Sequence, residues 1–144
     1  MAQYQLDTGK KYVKDIFSAN SFYNIPDYQR PYVWGEKQVT ELLNDLDRAC
    51  LNGGDKEYFL GCMIWNTKKR SQDDHVYACQ DILDGQQRFI TMYLLHGVMR
   101  DLSEDQDLIA KVNDRLRQKE DPYDNIPARN RIEFEIRDDK EFLE

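Results

Sequence analysis

Several absences bound what this chain can be. Its start, MAQYQLDTGKKYVKD, lacks the apolar core of a signal peptide, and no run approaches the ~20 apolar residues that cross a bilayer. Of its three cysteines, Cys50, Cys62 and Cys79, none forms a CxxC pair or a zinc-ligand pattern. An odd count without a leader predicts reduced thiols in a cytoplasm. Basic residues are in deficit, 20 against 27 acids, for a formal net charge of −7. A broad electrostatic grip on DNA is therefore not expected, although a local basic site on an acidic body is compatible with that balance. Internal repeats and low-complexity segments are absent.

What is present describes a folded chain. The 144 residues fit one domain with length enough to bury a core. Apolar residues make up 40% and aromatics 12%, which argues against disorder, and a charged fraction of 33% leaves little surface for large apolar patches.

Periodicity sets the expected elements. Lys11–Phe17 places Val13, Ile16 and Phe17 at helical spacing, and Phe22–Ile25 reads as a short extended piece. Pro26 and Pro31 exclude helix through IPDYQRPYVW, residues 25–34. A helix follows over Glu36–Leu51, with Val39, Leu42, Leu43, Leu46 and Cys50 as its apolar stripe and Glu36, Glu41, Asp45 and Asp47 on its solvated side. Asn52-Gly53-Gly54 stops it. Tyr58–Asn66 and His75–Leu83 read as two antiparallel strands, joined by a charged mobile tip over 67–74 that carries Lys68, Lys69 and Arg70. A helix then runs from Gly85 to Arg100 or Leu102, and another over Glu104–Lys119. Arg131–Arg137 alternates as a half-buried strand, and Asp138-Asp139 could cap a further helix close to Glu144, which suggests a fragment of a longer chain.

Two polar stretches stand out. In ILDGQQRFITMYL, residues 82–94, Gly85 permits a sharp turn from strand into helix. The unpaired amides and positive dipole end of a helix opening at Gln86–Arg88 suit an anion such as phosphate. Arg88 adds a forked cation, and Asp84 a carboxylate able to hold a metal or a hydroxyl. The plainer reading is a polar connection with Asp84 as an ordinary N-cap. In the earlier stretch, Gln29 and Arg30 lie between Pro26 and Pro31, flanked by Tyr28, Tyr32 and Trp34. Either this is an aromatic edge of the core with Arg30 reaching to water, or Gln29 and Arg30 are rigidly presented into a pocket.

The ordered combination of IPDYQRPYVW, FLGCMIW and ILDGQQRFIT resembles the N-terminal domain of GmrSD-type restriction proteins, a ParB/sulfiredoxin-like domain with a DGQQR signature. The likeness runs from about Lys11 to Leu102 and more weakly through RIEFEIR. It implies an α+β fold, a small mixed sheet flanked by helices with a strand–turn–helix at the site. It also implies a nucleotide pocket in which Asp84, Gly85, Gln86, Gln87 and Arg88 form the phosphate turn, with Gln29 and Arg30 facing it. The implied activity is binding and hydrolysis of a nucleoside triphosphate with Mg²⁺, held in part by Asp84, while Gln86 or Gln87 orients water. The implied partner is a separate C-terminal HNH-type nuclease domain. Only two histidines, His75 and His96, occur here, each expected to be structural or on the surface, so cleavage of DNA is not expected of this segment. The alternative is a non-enzymatic module using the same turn on DNA backbone phosphate or a partner. A third is a scaffold with a degenerate pocket.

Overall fold

A computed structural model describes residues 7–18, 21–52 and 57–135. Helices α1 (Val13–Ile16), α2 (Glu36–Leu51), α3 (Gln86–Leu102) and α4 (Gln106–Leu116) flank a four-stranded sheet. That sheet is built from β1 (Tyr23–Ile25), β2 (Ile64–Gln72), β3 (His75–Asp84) and β6 (Ile132–Phe134), in the order β2-β3-β1-β6. Strands β4 (Arg117–Gln118) and β5 (Arg129–Asn130) pair separately. Strand β1 runs parallel to both β3 and β6, whereas β2 and β3 are antiparallel, so the sheet is mixed and the fold is α+β. The short stretch read only as extended is thus a central strand, with all three residues buried.

Alternation sorts the sheet into two faces. Tyr23, Ile25, Ile82, Ile132 and Phe134 join Phe89, Ile90 and Met92 of α3 and Phe17 in one core. Aromatic packing is dense there, with the Tyr23 and Phe89 ring centroids 4.8 Å apart. The opposite face is polar. Asp81 on β3 is only 2% exposed yet meets Lys68 Nζ at 2.8 Å, Arg70 Nη2 at 3.2 Å and Asn24 Nδ2 at 3.1 Å. Burial pushes the Asp81 carboxyl up, but the hydrogen bonds and charges of Lys68, Asn24 and Arg70 outweigh it and hold the group below the usual carboxylate range.

The hairpin departs from expectation. Residues 67–72 are not a mobile tip but strand, and the connection is the two-residue turn Asp73-Asp74, with φ of 49° and 65°. A two-residue hairpin turn needs positive φ at both positions, which aspartate tolerates. The charged run stays in register because Lys68 and Arg70 point to the Asp81 side. Tyr58–Met63, expected as strand, lies outside the ladder, because the chain there bends at Gly61 (φ 125°) and wraps the DGQQR turn.

Smaller differences have local causes. Helix α4 begins after Asp105, whose carboxylate accepts the Asp107 and Leu108 amides at 3.0 and 3.3 Å. It ends at Leu116 because Arg117–Gln118 pair with β5. On α2 the buried stripe narrows to Leu42, with Leu43 41% exposed and Cys50 also exposed. Gly53, Gly54 and the Asp138-Asp139 cap lie outside the described residues. Among those described, no helix is long and apolar enough to cross a membrane.

Candidate functional site

The strand-to-helix turn forms where the sequence places its glycine. Gly85 is the N-cap of α3 in the left-handed region (φ 85°, ψ 13°). A Cβ there would stand 2.8 Å from the Cys62 carbonyl oxygen, so no other residue fits without moving backbone. Asp84 is exposed, and its Oδ1 accepts the Gly85 amide at 2.9 Å. Gly85, not Asp84, therefore occupies the N-cap position. The helical ladder begins with the Phe89 amide donating to the Gly85 carbonyl at 3.2 Å, so the amides of Gln86, Gln87 and Arg88 precede it.

Both glutamines of the turn are buried, at 6% and 7% exposure, and both are engaged. Gln86 Nε2 donates to the Arg30 carbonyl at 3.2 Å. Gln87 Nε2 donates to the Pro31 carbonyl at 3.1 Å, and its Oε1 accepts the Val33 amide at 2.8 Å. From the other side, Gln29 Nε2 donates to the Leu83 carbonyl at 3.1 Å. Three glutamine side chains thus stitch the proline-bracketed segment to the DGQQR turn, 54 to 56 residues away in sequence. The Tyr32 hydroxyl continues the seam to Thr91 Oγ1 at 2.8 Å.

Arg88 leaves this seam toward α2. Its Nη1 donates to the Leu60 carbonyl, and its guanidinium carbon lies 5.9 Å from the centroid of the Trp34 ring. A Cβ on Gly61 would collide with that guanidinium, so the second glycine makes room for the arginine. Trp34, Gln38, Glu41, Leu42, Asp45, Tyr58 and Arg88 line a cavity of about 130 Å³ between α2 and the start of α3. Arg30 is exposed and contributes its backbone to the seam; neither it nor Asp84 lines that cavity. A wider groove of about 820 Å³ beside β6 holds none of the motif residues.

Sequence reasoning put Glu41 and Asp45 on the solvated side of α2. Their spacing of four residues on one helix face, below Trp34, was the available signal. Tyr58 Oη donates to Asp45 Oδ2 at 3.0 Å, which orients that carboxylate. The basic cluster is largely neutralised, since Lys68 and Arg70 both serve Asp81 and Arg70 also meets Glu135 at 3.2 Å. His96 is buried with Nδ1 2.7 Å from the Met92 carbonyl, and burial lowers its pKa. It is a structural histidine, packed against the Phe17 ring. Among the described residues, no group of three His, Cys, Asp or Glu side chains could hold a metal ion. A magnesium ion keeps most of its waters and takes one or two protein carboxylates beside substrate phosphates. An exposed Asp84 fits that lesser share of the coordination.

Fold and turn together define a small α+β domain whose organising feature is a strand–glycine–helix junction stapled to an earlier polar segment. The chain belongs to the family described as the GmrSD restriction endonuclease N-terminal domain, whose model matches residues 13–144. It is therefore a domain of a restriction-system protein. A comparison with curated proteins returned no match.

Proposed function

We propose that this domain binds and hydrolyses a nucleoside triphosphate and thereby regulates a nuclease domain, C-terminal in the same protein or on a partner chain, in cytoplasmic defence against phage. The phosphates lie against the first-turn amides of α3 and the Arg88 guanidinium, where helix dipole and fixed cation act together. The observation that carries this reading is the glutamine seam: Gln29, Gln86 and Gln87 lock two distant polar motifs into one surface, and Arg88 and Trp34 border one cavity beside it.

Asp84 would hold a magnesium ion that arrives with the phosphates, and the chemistry that ion would supply is neutralisation of charge on the transferred phosphoryl group. Asp84 then holds the metal or orients water, while Gly85 lets the backbone approach. Gln86 and Gln87 act as positioning residues for the turn, and a water-orienting role for either competes with its bond to the Arg30–Val33 backbone. Arg30, exposed and tied to the turn through its carbonyl, supplies a second cation toward the phosphates.

The test is triphosphate binding and turnover with Mg²⁺ by the complete protein, comparing wild type with Asp84→Ala and Arg88→Ala. Arg88→Ala is expected to weaken binding at least about tenfold, the loss of roughly one charge-assisted hydrogen bond. Asp84→Ala is expected to lower turnover more than binding. Absence of binding to every common nucleotide overturns the proposal. So does steeply salt-dependent DNA affinity combined with indifference to triphosphates, which defines the phosphate-backbone alternative.

A further inference from the structure

We infer that the cavity between α2 and the first turn of α3 receives the sugar of the nucleotide and selects ribose over deoxyribose, with Glu41 as the accepting group. This rests on the triphosphate reading above, and deepens it from phosphates to the adjoining ring.

Size is the first argument. At about 130 Å³ the cavity is well below the roughly 300–1,000 Å³ of a pocket that encloses a whole ligand, so it holds one ring and leaves the rest outside. Covalent order is the second. Arg88 forms one wall, and phosphates held by Arg88 put the sugar next, since the base is joined only through the sugar.

The lining supplies the third argument. Leu42, 5% exposed, gives an apolar floor and Trp34 a flat aromatic side for the carbon face of a ring. The remaining polar groups are dominated by acceptors. Asp45 is fixed by Tyr58 Oη at 3.0 Å and by Arg48, and Gln38 Oε1 accepts the Gly35 amide at 3.0 Å. Glu41, one helical turn before Asp45, offers a carboxylate to incoming hydroxyls. A carboxylate acts only as an acceptor and repels phosphate, so Glu41 and Arg88 together give the ligand a direction: anion at the guanidinium, hydroxyls at the carboxylate. Acidic side chains hydrogen-bond ribose hydroxyls in other nucleotide sites for the same reason.

The experiment measures binding of each ribonucleoside triphosphate and its 2′-deoxy and 3′-deoxy counterparts to the complete protein, in wild type, Glu41→Ala and Glu41→Gln. Glu41 is exposed, and thermal melts verify that both variants fold. The readout is the ratio of affinities, which is insensitive to any general effect of removing a negative charge near the phosphates. Wild type is expected to favour the ribonucleotide by at least about tenfold, the value of one hydrogen bond to a charged group. In Glu41→Ala the ratio falls toward one, and Glu41→Gln, which keeps an acceptor, lies between. Equal affinity of ribo and deoxy forms in wild type overturns the sugar assignment while leaving the phosphate reading standing. A ratio unchanged in Glu41→Ala also overturns it. Failure to bind any triphosphate removes the underlying reading itself, and the two failures are thereby told apart.

Discussion

Gln87 and Val33 are joined across the seam between α3 and the proline-bracketed segment, the Val33 amide donating to Gln87 Oε1 at 2.8 Å. The other end of the same side chain reaches the Pro31 carbonyl at 3.1 Å, so one buried amide holds two backbone points two residues apart. A side chain used at both ends fixes position and angle together, which a single bond does not. Its removal strands the Val33 amide and the Pro31 carbonyl, and because both residues are exposed water offsets part of the loss, so each costs about 1 kcal/mol. Gln87→Ala is expected to lower stability in urea by about 2 kcal/mol. Hydrogen exchange at the Val33 amide should accelerate beyond that global change. An unchanged midpoint with Val33 still protected would show that the seam is held by something else.

Gly85 has both a backbone and a steric reason to be glycine. Positive φ costs other residues about 1–2 kcal/mol, less for asparagine, whose side chain suits that conformation. The Cβ contact of 2.8 Å with the Cys62 carbonyl does not depend on which side chain follows. Gly85→Ala and Gly85→Asn are therefore both expected to destabilise by more than about 2 kcal/mol. If asparagine restored wild-type stability in thermal unfolding, the dihedral alone would be the constraint and the contact unimportant.

These two positions show what a sequence can and cannot disclose. Gly85 was legible, because an apolar strand ending in Asp-Gly before a helical period leaves few alternatives. The pairing of Gln29, Gln86 and Gln87 with backbone more than fifty residues away was not, since no local pattern records a non-local hydrogen bond. The antiparallel hairpin of β2 and β3 was legible, but the length of its strands beyond residue 66 was not, for a related reason. Lys68, Lys69 and Arg70 resemble a solvated loop until Asp81 is seen diagonally across the same sheet face, ion-paired to two of them, and only the register reveals that placement. Strand β1, three residues long, is central because of neighbours contributed by β3 and β6, again information held elsewhere in the chain.

The Asp81 cluster gives the fold an acid-sensitive side. Burial raises the carboxyls of Asp81 and Glu135, but hydrogen bonds and charges from Lys68, Asn24 and Arg70 at Asp81, and from Asn24 and Arg70 at Glu135, leave both lowered. A carboxyl that binds its proton less tightly in the folded state stabilises fully above its unfolded pKa, about 4, and loses that contribution as pH falls through the folded value. Burial lowers His96 as well, so it adds a loss of the same sign, beginning as pH drops below about 6.5. Stability is thus expected to decline in two stages on acidification. Asp81→Asn should flatten the stage below about pH 4 and cost about 1–3 kcal/mol at neutral pH. The half-exposed Lys68 partner keeps that figure toward the lower end. A pH–stability curve for Asp81→Asn parallel to wild type below pH 4 would remove Asp81 from this account.

Thiol reactivity provides an independent probe of the sheet's polar face. Cys50 and Cys62 are exposed, whereas Cys79 is 1% exposed on β3, between Tyr77 and Asp81. Burial is the main cause that pushes the Cys79 thiol up to about 11, so little thiolate forms near neutrality and no reagent reaches it. Under native conditions at pH 8, a disulfide-exchange reagent is expected to titrate Cys50 and Cys62 quickly and Cys79 only as fast as the domain opens. The slow phase should quicken with urea in step with global unfolding, because β3 is paired on both sides, to β1 and β2. Asp81→Asn, by weakening the strand pairing next to Cys79, should shorten that slow phase by the factor its loss of stability dictates, about tenfold per 1.4 kcal/mol. Three equally fast thiols in the native protein would mean that the polar face opens without unfolding, and that Asp81 does not hold it closed.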